Sequence, residues 1–239
     1  MAWCLWLVGC WAVTLWMESA IPAARWMIFA STIGLLVLWP AVRLSQDLLA
    51  LDPGREHPGA AERLGPGSEA FDVHVLAVLL LDWLSLNLVF QVVIWPMRLY
   101  ATWGFQQTLW IIATVMTWSL VSGLIVAWGC LEPLMHPGAR PARHRRTFRR
   151  PLAMLLCLGL LFAEPLFMVL VDALPASSPS GGWTMRISPI ELLWQLTRHP
   201  SKFALAPWPG VIGAMAVAGI LGWVSLWLAV NRREIAVCD

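Results

Sequence analysis

Charge is scarce in this sequence, and lysine is almost missing. Aspartate, glutamate, lysine and arginine make up 13% of the 239 residues, about half the share of a soluble domain. Lys202 is the only lysine, which excludes any mechanism that needs two amines. The five histidines (His57, His74, His136, His144, His199) stand at the ends of apolar runs or between them. Two haem ligands facing each other at mid-membrane are therefore not available. Cys4, Cys10, Cys130, Cys157 and Cys238 form no Cys-x-x-Cys pair, so neither a disulfide framework nor a zinc site is implied. Walker loops, His-Glu-x-x-His helices and nucleophile elbows are also missing. The expectation is a non-catalytic chain without metal or cofactor, and an enzyme resting on Asp82 and Glu164 alone is the remaining catalytic alternative.

What the chain does have is apolar surface: 59% hydrophobic residues and 17 tryptophans, with a mean hydropathy of +0.69. That composition marks an integral membrane protein, with indoles drawn to the headgroup zone. Apolar runs near 3–17, 25–42, 74–96, 103–131, 152–174 and 208–230 predict an all-α, polytopic six-transmembrane-helix bundle in a single membrane domain, 1–239. The first run lacks the basic start of an export signal and is expected to stay as an uncleaved helix. Trp39-Pro40 is expected to end or kink the second span, and Trp95-Pro96 to end the third. Arg43 would then snorkel to the surface.

Orientation follows from the loop 132–151. Arg140, Arg143, Arg145, Arg146, Arg149 and Arg150 lie close to two apolar runs, and short basic loops of this kind stay in the cytoplasm. Loop 43–73 and both termini then share that side, with Arg55, Arg63, Arg232 and Arg233. Segment 175–207 is external, and Arg25, Arg98, Arg186, Arg198 and Lys202 are the only basic residues left outside. The expected location is a bacterial cytoplasmic (inner) membrane. No soluble basic domain surrounds the six arginines, so they are expected to meet anionic membrane lipids or a cytoplasmic partner, and no nucleic acid.

In the external segment, Ser188-Pro189-Ile190-Glu191 combines a capping box with proline at the first helical position. It predicts a short amphipathic helix between the fifth and sixth spans, with Ile190, Leu193, Trp194 and Thr197 on one face. On the fourth span Trp103, Gln107, Trp110, Thr114, Thr117 and Val121 follow steps of four and three, which defines a seam. On the sixth, Ala214, Ala218 and Gly222 form a small-residue face suited to close helix approach.

The chemistry that remains lies inside the apolar runs. Glu164 falls near the middle of the fifth span, where an ionised carboxyl is costly. Asp82, Asn87 and Gln91 on the third span and Thr114 and Thr117 on the fourth lie at compatible depths. Two readings stay open for this set: a polar knot that holds helix register, or a proton or cation site.

These features predict a non-catalytic membrane subunit of a larger assembly for transport or export, contacting other membrane subunits. In size, span number and the helix before the last span, the layout resembles the permease half of an ABC-2-type exporter. The resemblance implies a separate ATPase and dimerisation. It departs from that layout at the N-terminus, where apolar sequence begins without an interface helix. A self-sufficient carrier coupled through Glu164 and Asp82 is the other alternative.

Overall fold

A computed structural model describes residues 2–45, 69–130, 148–162, 188–198 and 208–238. Every regular element among them is helical: α1 (Ala2–Leu15), α2 (Ala20–Ser45), α3 (Glu69–Tyr100), α4 (Phe105–Cys130), α5 (148–162), α6 (Pro189–Arg198) and α7 (Trp208–Cys238). Four of these helices, α2, α3, α4 and α7, are long and apolar enough to cross a membrane. The protein is a polytopic, helical integral membrane protein. Helices suit that setting because each satisfies its own backbone groups where lipid offers none a partner.

Neither Trp-Pro pair ends its helix, contrary to the sequence expectation. In α2 the turn Gly34–Leu38 widens into a π-helical turn just ahead of Pro40, and the helix continues to Ser45. A wider turn accommodates a ring that has no N–H and would otherwise press on the carbonyl one turn back. Gly34 lies beneath the indoles of Trp3 and Trp6, where a Cβ would stand 2.5 Å from ring atoms. Trp6 Nε1 donates to the Ala30 carbonyl at 2.9 Å. This contact lays α1 across the irregular turn. In α3 the helix runs through Pro96 to Tyr100.

The buried positions of α3 follow Leu76, Leu79, Asn87, Phe90, Ile94 and Met97, with half-buried Trp83 between Leu79 and Asn87, a repeat of three and four that places one stripe against α4. A tight turn joins the two helices. The Trp103 N–H reaches back to the Arg98 carbonyl at 3.0 Å, and Thr102 between them takes a φ of +55°. That is the left-handed end of a helix usually given to glycine. Here a β-branched residue occupies it, with its hydroxyl donating to the Ala101 carbonyl at 2.7 Å.

Helix α4 is the centre of the bundle. Its buried residues include Thr108, Ile111, Thr114, Val115, Thr117, Trp118, Ser119, Ser122, Gly123, Val126 and Ala127, which cover most of its circumference. The seam read from sequence was too narrow, because α2, α3, α6 and α7 all pack on this one rod. On α7 the packed small residues are Gly219 against Leu120 and Gly222 against Leu124. Ala214 and Ala218 are exposed. Of the three small residues read as one face, Gly222 meets the bundle, while Ala214 and Ala218 lie on the open side. At the far end a Cβ on Gly129 would stand 2.8 Å from that of Ala153, so α5 approaches α4 backbone to backbone.

Candidate functional site

Polar side chains inside the bundle fall into three separate groups. The first lies at mid-height. Asn87 and Ser119 each stand about 17 to 21 Å from either end of their spans by helical rise, and both are buried. Trp83 Nε1 donates to Ser119 Oγ at 3.0 Å. Ser119 Oγ lies 3.2 Å from Asn87 Oδ1 and 2.9 Å from the Met116 carbonyl, and its one proton serves these two acceptors. Asn87 Nδ2 donates to the Trp83 carbonyl at 2.8 Å, which closes the loop between α3 and α4. One layer of apolar packing lies on the α6 side and another on the α5 side. In such surroundings an amide, an indole N–H and a hydroxyl are costly unless they meet one another.

The second group joins α2 to α3. Arg43 pairs with Asp82, about 10 Å inside the Val75 end of α3. The sequence expectation sent Arg43 outward to the surface. Instead its long side chain turns inward, because Asp82 supplies the opposite charge that lipid cannot. Both charged side chains are partly buried, with 17% and 29% of their surface exposed.

Of the site residues read from sequence, Asn87 is tied into the mid-height network, while Asp82 belongs to the ion pair one turn and more away. Gln91 Nε2 contacts Met116 Sδ at 4.0 Å. Thr114 donates to the Trp110 carbonyl of its own helix at 2.8 Å, and Thr117 is buried. Glu164 lies outside the described residues, as do Arg140, Arg143, Arg145 and Arg146. Arg149 and Arg150 are described, and Arg149 stacks over Trp128 at 5.4 Å.

No family model, curated protein or solved structure matches this chain. The geometry therefore stands by itself.

Residues that the sequence reading missed are Ser119, Trp83 and Arg43. Trp83 and Asn87 are one turn apart and share a face, but nothing local marks Ser119 as their partner across 32 positions.

A third polar group holds α6. Gln107 Nε2 donates to the Leu196 carbonyl at 2.7 Å, and Arg25 Nη2 to that of Thr197 at 3.1 Å. These are carbonyls of the last helical turn, which lack partners within the helix and favour a cation nearby. At the other end Ser188 Oγ donates to the Leu161 carbonyl at 3.2 Å. The buried face of α6 is Pro189, Leu192, Leu193, Leu196 and Thr197. It is turned from the expected one, so that Trp194 points away with 40% of its surface exposed. The turn puts that indole between Arg25 and Arg198, 5.4 and 5.9 Å from its centroid.

Proposed function

We propose that the protein is a non-catalytic membrane subunit of a larger membrane assembly, of the transport or export type, and that one membrane domain, 1–239, carries it. The observation behind this reading is the state of α7. Of its most apolar stretch only 17% is buried, against 50% for α4. Its open side carries Gly210 and Gly213, at which an added Cβ would meet nothing within 4 Å, together with Ala214 and Ala218. Small residues on an open face let a second helix approach closely, which lipid chains alone do not require. The polar groups of α3 and α4 meet each other, and this agrees better with a register knot than with an ion path.

In this proposal six spans cross a bacterial cytoplasmic membrane, with α6 external and both termini cytoplasmic. Loop 132–151 then faces anionic lipid or a cytoplasmic partner. Single cysteines placed at 140–150 in a cysteine-free chain test the sidedness: labelling from outside intact cells would overturn it. Affinity purification in mild detergent tests the assembly. Several co-purifying membrane proteins support the subunit. A lone ATPase selects the permease half of an exporter, and no partner at all selects a carrier coupled through Glu164 and Asp82.

A further inference from the structure

At the α6 end of the bundle, two guanidinium groups share one indole. Arg25 and Arg198 stand 5.4 and 5.9 Å from the centroid of Trp194, so their charges lie no more than about 11 Å apart. Neither has a carboxylate partner among the described residues. Along the sequence, 173–231 carries Arg186, Arg198 and Lys202 against the single carboxylate of Glu191, and Glu18 is the acid nearest Arg25 in sequence. Glu191 Oε1 accepts from Gln195 Nε2 at 2.9 Å. Arg25 Nη2 donates to the Thr197 carbonyl at 3.1 Å, while Arg198 has no such bond among the described residues, and an anion placed between the two guanidinium groups is attracted by both.

Position tells what kind of anion. Arg25 lies about 8 Å along α2 from Ala20 by helical rise, within the first turns of the span that begins there. One turn deeper is Phe29, whose ring packs against Trp194 at 6.1 Å. Trp26 and Ile21 beside it are exposed, at 44% and 48%. From Arg25 inward the order is guanidinium, indole, phenyl, which follows a phospholipid from its phosphate toward its acyl chain. Arginine forks match phosphate oxygens, and indole belongs in the headgroup zone. Arg198 and Trp194 are both exposed.

We infer that Arg25, Trp194 and Arg198 form a phosphate-binding site for the headgroup of an anionic phospholipid, with the acyl chain lying along Phe29. This site lies at the opposite end of the bundle from Arg149 and Arg150, and it does not depend on the assembly proposed above.

The test uses the full chain, purified and stripped of lipid in mild detergent, with bound lipids counted by native mass spectrometry. Phosphatidylglycerol and phosphatidylcholine of equal chain length are compared, with inorganic phosphate as a third arm. The expected result is preferential binding of phosphatidylglycerol, reduced about fivefold by Arg198→Gln, with phosphatidylcholine binding unchanged. Arg198 makes no bond that docks α6, so this variant keeps the fold. Comparing it with wild type also removes any background from the arginine loop. Displacement of phosphatidylglycerol by millimolar inorganic phosphate in wild type, lost in the variant, would assign the same site to free phosphate. Equal affinity of wild type and Arg198→Gln for phosphatidylglycerol, or equal binding of the two lipids by wild type, would overturn the proposal.

Discussion

The pair formed by Arg43 and Asp82 makes an uneven prediction. Removing one member of a fully buried pair costs about 3–5 kcal/mol, because the other charge is left without compensation. Here the two side chains keep 17% and 29% of their surface, and they differ in what each can do when alone. Arg43 is two residues from the end of α2, at Ser45. In Asp82→Asn its long stem can carry the charge outward to the headgroups, so that variant should lose only about 1 kcal/mol. Asp82 sits about 10 Å inside the apolar span that begins at Val75, on a short side chain, and cannot follow. Arg43→Gln should therefore lose about 3 kcal/mol, close to the buried limit. The double variant carries no charge at the site and should lie between the two, with a coupling energy of about 1–2 kcal/mol. Unfolding in mixed micelles of SDS and a mild detergent, followed by far-ultraviolet circular dichroism, measures all four chains. Additivity within about 0.5 kcal/mol would show that the two groups do not interact. A larger loss for Asp82→Asn than for Arg43→Gln would refute the argument from depth.

Three other expectations use the same measurement or a close relative of it. Ser119→Ala strands an indole N–H and an amide oxygen at mid-height and should lose about 1 kcal/mol, the scale of interhelical hydrogen bonds in lipid; Ser225→Ala, whose exposed hydroxyl bonds only its own helix, should change nothing. Thr102→Gly should gain up to about 1 kcal/mol, since it relieves a β-branched residue of a left-handed backbone; a loss would mean that its hydroxyl bond to Ala101 outweighs the strain. Gln107→Leu leaves the Leu196 carbonyl without its donor, so hydrogen exchange at 188–198 should speed up while α3 stays protected; uniform acceleration across the chain would show that α6 is not a separately docked element.

Composition and periodicity were enough to show a helical membrane protein, because lipid allows few alternatives to an apolar helix and hydropathy reads that constraint directly. The start of α6 at Pro189 was likewise legible, since a capping box is local chemistry. The polar set was legible only in part. Asn87, Gln91 and Thr114 stood out as polar residues in apolar runs, but Ser119 looked like any serine on a long helix.

What sequence alone could not supply is rotation and partnership. Periodicity gives the spacing of a face but not its azimuth, so α6 came out turned toward Leu192 and Leu196. A proline marks an end only if nothing absorbs it, and the π turn of α2 forms beneath two indoles from another helix. Arg43 pointed outward while its only visible neighbours were those on its own helix; Asp82 is 39 residues on along the chain and beside it only after α2 and α3 have packed. Lipid dictates that the chain be helical, whereas which polar groups find each other is decided when the helices meet, because each must find its partner inside the protein.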